Sequence, residues 1–303
     1  MFLQKLFKDA RYFQILFQSI FLSYGIFFLH WHNEEWLYAT YFISSITTHF
    51  LCEYFIGNKK LAFIQRIKNG LPSVLISSFG LSLLLKTNIW WVAVFAAVVS
   101  IVSKYIIRIN GKHIFNPSAL GIVVAVLFTG KAWISPAQWG SGMVLLFAVC
   151  CLGFIVVTKV QKLSVSLSFF GVFAGLLFIR QIIFLGWPID FFLQSISTGS
   201  LLLFSFFMIT DPKTLPNHSF VRIICCVSIA AFSFYLSTFK FINGAPIFVL
   251  VAAQLFVPLL DYVFKADKFE WLHAKLLTIK NEYSIQSIFQ NQSYNLSTKK
   301  NTL

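Results

Sequence analysis

Acidic side chains are scarce in this sequence: Asp and Glu together number 10, and charged residues of every kind make up 11% of its 303 positions. Soluble domains carry about 25%, so a water-facing globular surface cannot be built from this composition. No soluble catalytic domain, no nucleophile with its base and no metal-ligand set can be read from it. Cysteine is sparse as well. Cys52, Cys150, Cys151, Cys225 and Cys226 all fall inside apolar runs, which argues against a disulfide framework and for small buried hydrophobes. The pairs Cys150–Cys151 and Cys225–Cys226 would chelate poorly, because neighbours on a helix point about 100° apart; no metal is expected. A cleavable signal is not expected either. The apolar run that follows the basic segment Met1–Arg11 extends to Trp31, long enough to span, and lacks a small-residue cleavage site.

Apolar residues are what the chain has instead: 58% hydrophobic, with 37 Phe, 8 Trp and a mean hydropathy of +0.78. Lipid must solvate that surface. The expected fold class is an all-α polytopic membrane protein with about ten transmembrane helices. The spans read as 12–31, 36–56, 71–86, 88–107, 115–130, 139–159, 163–185, 189–210, 219–238 and 245–264. Two of them, 71–86 and 115–130, are short and punctuated by Pro72, Gly80, Pro117, Gly121 and Gly130. Backbone breaks at membrane depth need protein or a polar cavity to satisfy them.

The net charge of +14 would suggest nucleic acid in a soluble protein. Here it reads as positive-inside bias, and no nucleic-acid partner is expected. With ten spans and both termini inside, 20 of the 24 Lys and Arg fall on the cytoplasmic side. Only Lys86, Lys131, Arg180 and Lys240 remain outside. That asymmetry supports both orientation and even span count, in a bacterial cytoplasmic (inner) membrane. Domain organisation follows: a membrane domain over residues 1–264, with halves at about 1–135 and 136–264, then a polar cytoplasmic tail over 265–303. The tail is rich in Asn, Gln, Ser and Lys and suits disorder.

The chain also repeats itself. INGKHIF (Ile109–Phe115) and INGAPIF (Ile242–Phe248) share five of seven positions, and ISSFGLSLLL (Ile76–Leu85) echoes ISTGSLLL (Ile196–Leu203). Five spans per half is an odd number, so the halves would be two inverted five-helix repeats. Such repeats place a binding site near mid-membrane where they meet.

Three blocks carry chemistry. In KHIFNPSALGIV (Lys112–Val123), Asn116 caps a helix with Pro117 in its first turn. Lys112, His113, Asn116, Pro117 and Ser118 together could also form a cationic, donor-rich cradle at that N-terminus. SPAQWG (Ser135–Gly140) follows. In TGSLLLFSFFMITDPKTLPN (Thr198–Asn217), Pro212 ends an apolar helix, and Asp211 is expected to cap a new helix beginning there. The alternative is that Asp211, Lys213 and Thr214, with Thr198, meet a polar ligand head or a partner. A weaker block is VPLLD (Val257–Asp261), with Asp261 read as interfacial. Within the spans, His49 and Glu53 lie four apart on one helix face and could share a proton; the plainer reading is a pair snorkelling inward.

In this order and spacing the blocks resemble the NqrB/RnfD family, membrane subunits of the sodium-pumping NADH:quinone oxidoreductase and the Rnf electron-transport complex. The resemblance covers about residues 8–264. The chain is still more similar to the short branch that includes the enediyne-cluster membrane protein UnbU. The resemblance implies a membrane redox subunit working with other membrane or redox subunits. It also implies flavins: an FMN covalently held on a threonine, and a non-covalent riboflavin in the membrane. The covalent site needs a Ser/Asp-Gly-Ala/Val-Thr-x-Ala-Thr run. This sequence has none; SISTGS (Ser195–Ser200) lacks the Ala-Thr pair. Covalent FMN is therefore not expected, which leaves a non-covalent riboflavin or FMN, or a quinone, where the repeats meet. A small-solute or ion transporter or channel, and a membrane accessory protein of a biosynthetic pathway, stand as alternatives.

Overall fold

The computed structural model describes residues 10–27, 29–31, 35–57, 62–135, 161–211 and 213–267. Eleven helices and four short strands are formed among them. In the first half these are α1 (Ala10–Phe27), α2 (Glu35–Phe55), α3 (Phe63–Leu84), β1 (Leu85–Thr87), α4 (Trp90–Ile106), β2 (Arg108–Ile109), β3 (Lys112–His113), α5 (Pro117–Thr129) and β4 (Ala132–Ile134). The second half has α6 (Gln161–Phe178), continued by a π-helical turn over Ile179–Phe184, then α7 (Ile189–Ile196) and α8 (Gly199–Leu203). A second π segment, Phe204–Met208, extends α8, and α9 (Ser219–Phe239), α10 (Ala245–Gln254) and α11 (Val257–Val263) complete the half. The expected span 139–159 and the tail beyond 267 lie outside the described residues, as do Cys150 and Cys151.

Among the described residues three helices are long and apolar enough to cross a membrane, or up to five if each bent pair counts as one span. The bent pairs are α7 with α8 and its π extension, at 50°, and α10 with α11, at 44°. Large apolar side chains point outward all round, among them Phe128 at 78% exposure, Phe184 at 79% and Phe241 at 83%. In water this surface would aggregate; in lipid it is solvated. The chain is a helical membrane protein.

The expected short span 71–86 is instead the end of a longer helix. α3 runs unbroken through Pro72 and Gly80 for 22 residues, about 33 Å at 1.5 Å per residue. Pro72 removes one backbone donor, yet the helix continues through it. Its C-terminal stretch from Ser77 to Leu84 is buried throughout. Hydroxyls there fold back on the helix: Ser77 on the Ser73 carbonyl (3.0 Å), Ser78 on Val74 (3.0 Å) and Ser82 on Ser78 (2.9 Å). α5 is short as expected, with 13 residues rising about 20 Å. β4 continues it and pairs antiparallel with β1, Leu85 opposite Ile134, so these extended backbones are satisfied inside the protein.

Small residues let the first half close tightly. α4 presents Ala93, Ala96, Ala97 and Ser100, all fully buried, to α5. A Cβ on Gly121 would lie 2.6 Å from the Ala96 carbonyl oxygen and 2.9 Å from Ser100 Cβ. Only glycine permits that approach.

The two INGxxIF copies take different local folds. In the first, Asn110 (φ 54°) and Gly111 (φ 79°) form the two-residue turn of the β2–β3 hairpin, which needs positive φ at both positions. In the second, Gly244 (φ 70°) caps α10 directly. Lys-His at one copy and Ala-Pro at the other account for the difference: Pro246 in the first turn starts a helix where the first copy carries a strand pair.

Candidate functional site

Asn116 is the hinge of the site. Its side-chain oxygen caps α5 by accepting from the Ala119 N–H (3.3 Å) and from the Ser118 hydroxyl (2.9 Å). Its amide Nδ2 donates to the Met208 carbonyl of the second half (3.1 Å), and its backbone N–H donates to Gln254 Oε1 at the end of α10 (3.0 Å). The Met208 carbonyl needs that donor. In a continuing helix it would meet residue 212, which is proline and has no N–H. The Lys213 N–H, one residue further, donates to Asp211 Oδ1 instead (3.0 Å). A sequence break in one half is thus satisfied by the cap residue of the other.

Asp211 caps a turn, not a new helix. Both the N–H and the hydroxyl of Thr214 donate to its carbonyl (3.2 Å each), and the next helix waits until Ser219. The expected helix at Pro212 does not form: residues 213–218 run as turns and bends. Asp211 Oδ2 faces His113 Nε2 at 3.5 Å. Burial pushes the Asp211 carboxyl up, but the His113 hydrogen bond and field, with the Lys213 N–H and ammonium, outweigh it and hold the group below its ordinary value. Burial pushes the Lys213 ammonium down, partly offset by Asp211.

His113, Asn116, Pro117, Ser118, Asp211 and Lys213 all line one cavity of about 220 Å³ between the halves. α1 contributes Arg11, Gln14 and Gln18, and α3 contributes Asn69, Ser73, Ser77, Gly80 and Leu84 along one face. Lys104 enters from α4, and Leu203, Phe206 and Phe207 come from α8 and its π extension. The cavity is therefore graded: cations at the end marked by Arg11 and Lys104, apolar side chains at the end marked by Leu84 and Leu203. α3 comes close to the α5 N-terminus because residue 80 is glycine; a Cβ there would meet Ser118 Oγ at 2.9 Å. Gln18 is 3% exposed, and its Oε1 has no hydrogen-bond partner, an unusual cost for a buried acceptor.

The other three expected site residues lie elsewhere. Lys112 turns away from the cavity and forms an ion pair with Asp261 Oδ2 at 2.8 Å, while donating to Asn217 Oδ1 (3.3 Å) and the Leu215 carbonyl. Asp261 Oδ1 accepts from the Asn217 N–H (2.8 Å). Asp261, read from sequence as merely interfacial, thus stitches α11 to the β2–β3 hairpin. Thr214 is fully buried in the Asp211 turn. Thr198 lines a different cavity of about 680 Å³, with Ser135, Arg180 and Gln181, at the bend between α7 and α8. Sequence reasoning missed Arg11, Gln18 and Lys104. Gln18 and Lys104 each left a signal, a polar or charged residue inside an apolar run.

Among the described residues no group of three or more His, Cys, Asp or Glu is placed to hold a metal ion. No curated protein matches the chain. A family match does exist, over 144 of 303 residues, and it contains the TDPKT and VPLLD blocks and the second half of the cavity lining. Residues 127–270 match the NQR2, RnfD, RnfE family, and that match supports placing this helical membrane protein with the NqrB/RnfD family.

Proposed function

We propose that the chain is the membrane subunit of an electron-transport complex and that the cavity between its halves binds a flavin non-covalently. The observation that carries this is the convergence of six motif residues on one graded cavity that also holds an orphaned buried acceptor, Gln18 Oε1. The donor set fits the group. Gln18 Oε1 is an acceptor awaiting an N–H such as a flavin ring imide, and Ser77 and Ser118 also line the cavity. At about 220 Å³ the cavity is smaller than the roughly 300–1,000 Å³ of a drug-sized site. It suits one ring system, with the tail directed to the cationic end.

Arg11, Lys104 and Lys213 at that end would hold a phosphate or ribityl hydroxyls, and Phe206 and Phe207 would flank the ring. When bound, the flavin supplies one- and two-electron redox chemistry. The residues orient it, exclude water and set the field around it. We infer further that the two halves are inverted five-span repeats, with both termini cytoplasmic in a bacterial inner membrane, and that other redox subunits dock there. The missing flavinylation run supports reading the chain as a member of the UnbU-like branch.

The test is cofactor extraction from detergent-purified protein. Flavin absorbance that is released into acid supernatant is the expected result; a colourless protein that takes up neither riboflavin nor FMN overturns the reading. The two bent helix pairs favour a second reading, an ion or small-solute pathway. Uptake by reconstituted vesicles without any electron donor would select it.

A further inference from the structure

Away from the cavity, three titratable side chains form a chain of hydrogen bonds through the interior of α2, α3 and α4. His49 is fully buried. Its Nδ1 lies 2.6 Å from the Tyr105 hydroxyl, and its Nε2 lies 3.3 Å from the Ile67 carbonyl. The Tyr105 hydroxyl lies 2.8 Å from Glu53 Oε1. Arg66 closes the far end, donating to the Glu53 carbonyl (2.9 Å) and standing 3.7 Å from Glu53 Oε2. Gly70 makes room for the imidazole; a Cβ there would meet His49 Cε1 at 2.4 Å.

Counting hydrogens along this chain gives a definite answer. The Ile67 carbonyl can only accept, so His49 Nε2 must carry a proton. If His49 is neutral, Nδ1 is then a bare acceptor and requires the Tyr105 proton. Tyr105 has one proton to give, so the Glu53 contact also needs a hydrogen, and Glu53 must be protonated. If Glu53 is ionised instead, Tyr105 donates to it, and His49 Nδ1 must donate to Tyr105, which makes His49 an imidazolium. A neutral His49 beside an ionised Glu53 leaves one of the two Tyr105 contacts as oxygen or nitrogen lone pair against lone pair at under 3 Å.

We propose that His49, Tyr105 and Glu53 form a proton-holding site that keeps one proton beyond the neutral-imidazole, carboxylate pair. The two filled states interconvert by one concerted step. Glu53 passes its proton to the Tyr105 oxygen as Tyr105 passes its own to His49 Nδ1; the O–H bond on Glu53 breaks, an N–H bond on His49 forms, and Tyr105 ends as it began. The ligand of this site is the proton. The charged and titratable groups facing it are Cys52 on α2, Arg66 on α3 and Lys104 on α4, with the Arg108 guanidinium 5.3 Å from the Tyr105 ring. The Arg66 guanidinium thus stands at the Glu53 end of the chain, and the Lys104 ammonium acts on its His49 end. Nothing in this site depends on the flavin reading.

The full chain in lipid nanodiscs, with ¹⁵N-labelled histidine and isotope-edited infrared detection of Glu53, reads the proton directly. At neutral pH the wild type shows either a protonated Glu53 carboxyl or an imidazolium at His49, and alkaline titration removes about one proton per chain from the pair, with both signals changing together. Glu53→Gln keeps the geometry, because its amide N–H donates to Tyr105; in that protein His49 stays neutral, protonated at Nε2, and the shared proton release is gone. Tyr105→Phe makes His49 and Glu53 titrate independently. An ionised Glu53 with a neutral His49 in the wild type at neutral pH, or an unchanged proton release in the Glu53→Gln protein, overturns the proposal.

Discussion

Replacing Asn116 by Ala removes two interactions of different kinds. The helix cap at the start of α5 is lost, which costs about 1 kcal/mol. The buried Met208 carbonyl also loses its donor, and because Pro212 offers no N–H, nothing nearby replaces it; an unsatisfied buried acceptor costs about 1–3 kcal/mol. The sum is about 2–4 kcal/mol. Asn116→Ser separates the two parts, since a hydroxyl still caps the helix but does not reach Met208. It should lose only the second part, so the two variants should differ by about 1 kcal/mol. Unfolding of detergent-solubilised protein by graded addition of a denaturing detergent gives the midpoints to compare. An Asn116→Ala protein within about 0.5 kcal/mol of wild type, or Asn116→Ser and Asn116→Ala proteins with the same midpoint, would refute the assignment of Asn116 as the clamp between the halves.

Other outcomes follow from the same geometry. Gly121→Ala drives a methyl toward the Ala96 carbonyl and should cost about 1–3 kcal/mol, whereas Gly171→Ala, with nothing within 4 Å, should be neutral or stabilising by about 0.5–1 kcal/mol; equal effects would contradict the α4–α5 packing. Asp261→Asn or Lys112→Met, each breaking a pair only 17% exposed at either partner, should lose about 1.5–3 kcal/mol, and a Lys112→Met, Asp261→Leu double variant should recover part of it. Asp211 has a lowered folded value, so its contribution to stability is complete above the ordinary carboxylate value near about 4. It is lost as pH falls further, through the depressed value. Acid unfolding of Asp211→Asn should lack that component; an acid limb identical to wild type would remove the His113–Asp211 contact from the account.

Much of this fold was legible in the sequence, and the rest was hidden for physical reasons. Composition and run length placed α1, α2, α4, α6 and α9 within a few residues, because a lipid-facing helix has to be apolar over nearly its whole length. Asn116–Pro117 announced the α5 cap, since few residue pairs suit that position as well. Pro72 misled because proline usually ends a helix, whereas α3 gives up one backbone bond there and continues. The bends fell elsewhere, at Ser197–Thr198, which has no proline, and at Leu255–Phe256, just ahead of Pro258 in the first turn of α11. Of the site, Asn116 and Pro117 meet Thr210, Asp211 and Lys213 in space as pieces of one cavity, but Lys112, Thr198 and Thr214 do not. Their neighbours in sequence share the motif, while the hairpin at Asn110–Gly111 and the bend before α8 send the Lys112 and Thr198 side chains to other places. Gln18 and Lys104 stand out in sequence only as polar residues inside apolar runs; that they meet in one cavity is set by tertiary packing.

The most direct test of the cavity's role is a binding titration. Riboflavin and FMN, added to apoprotein in nanodiscs, should each show saturable quenching of flavin fluorescence. Gln18→Leu, which replaces the orphaned acceptor, should weaken both flavins alike, while Lys213→Ala should weaken FMN more than riboflavin. Saturable binding that neither substitution alters, or no binding by the wild type, would place any ligand outside the space between the two halves and contradict the account.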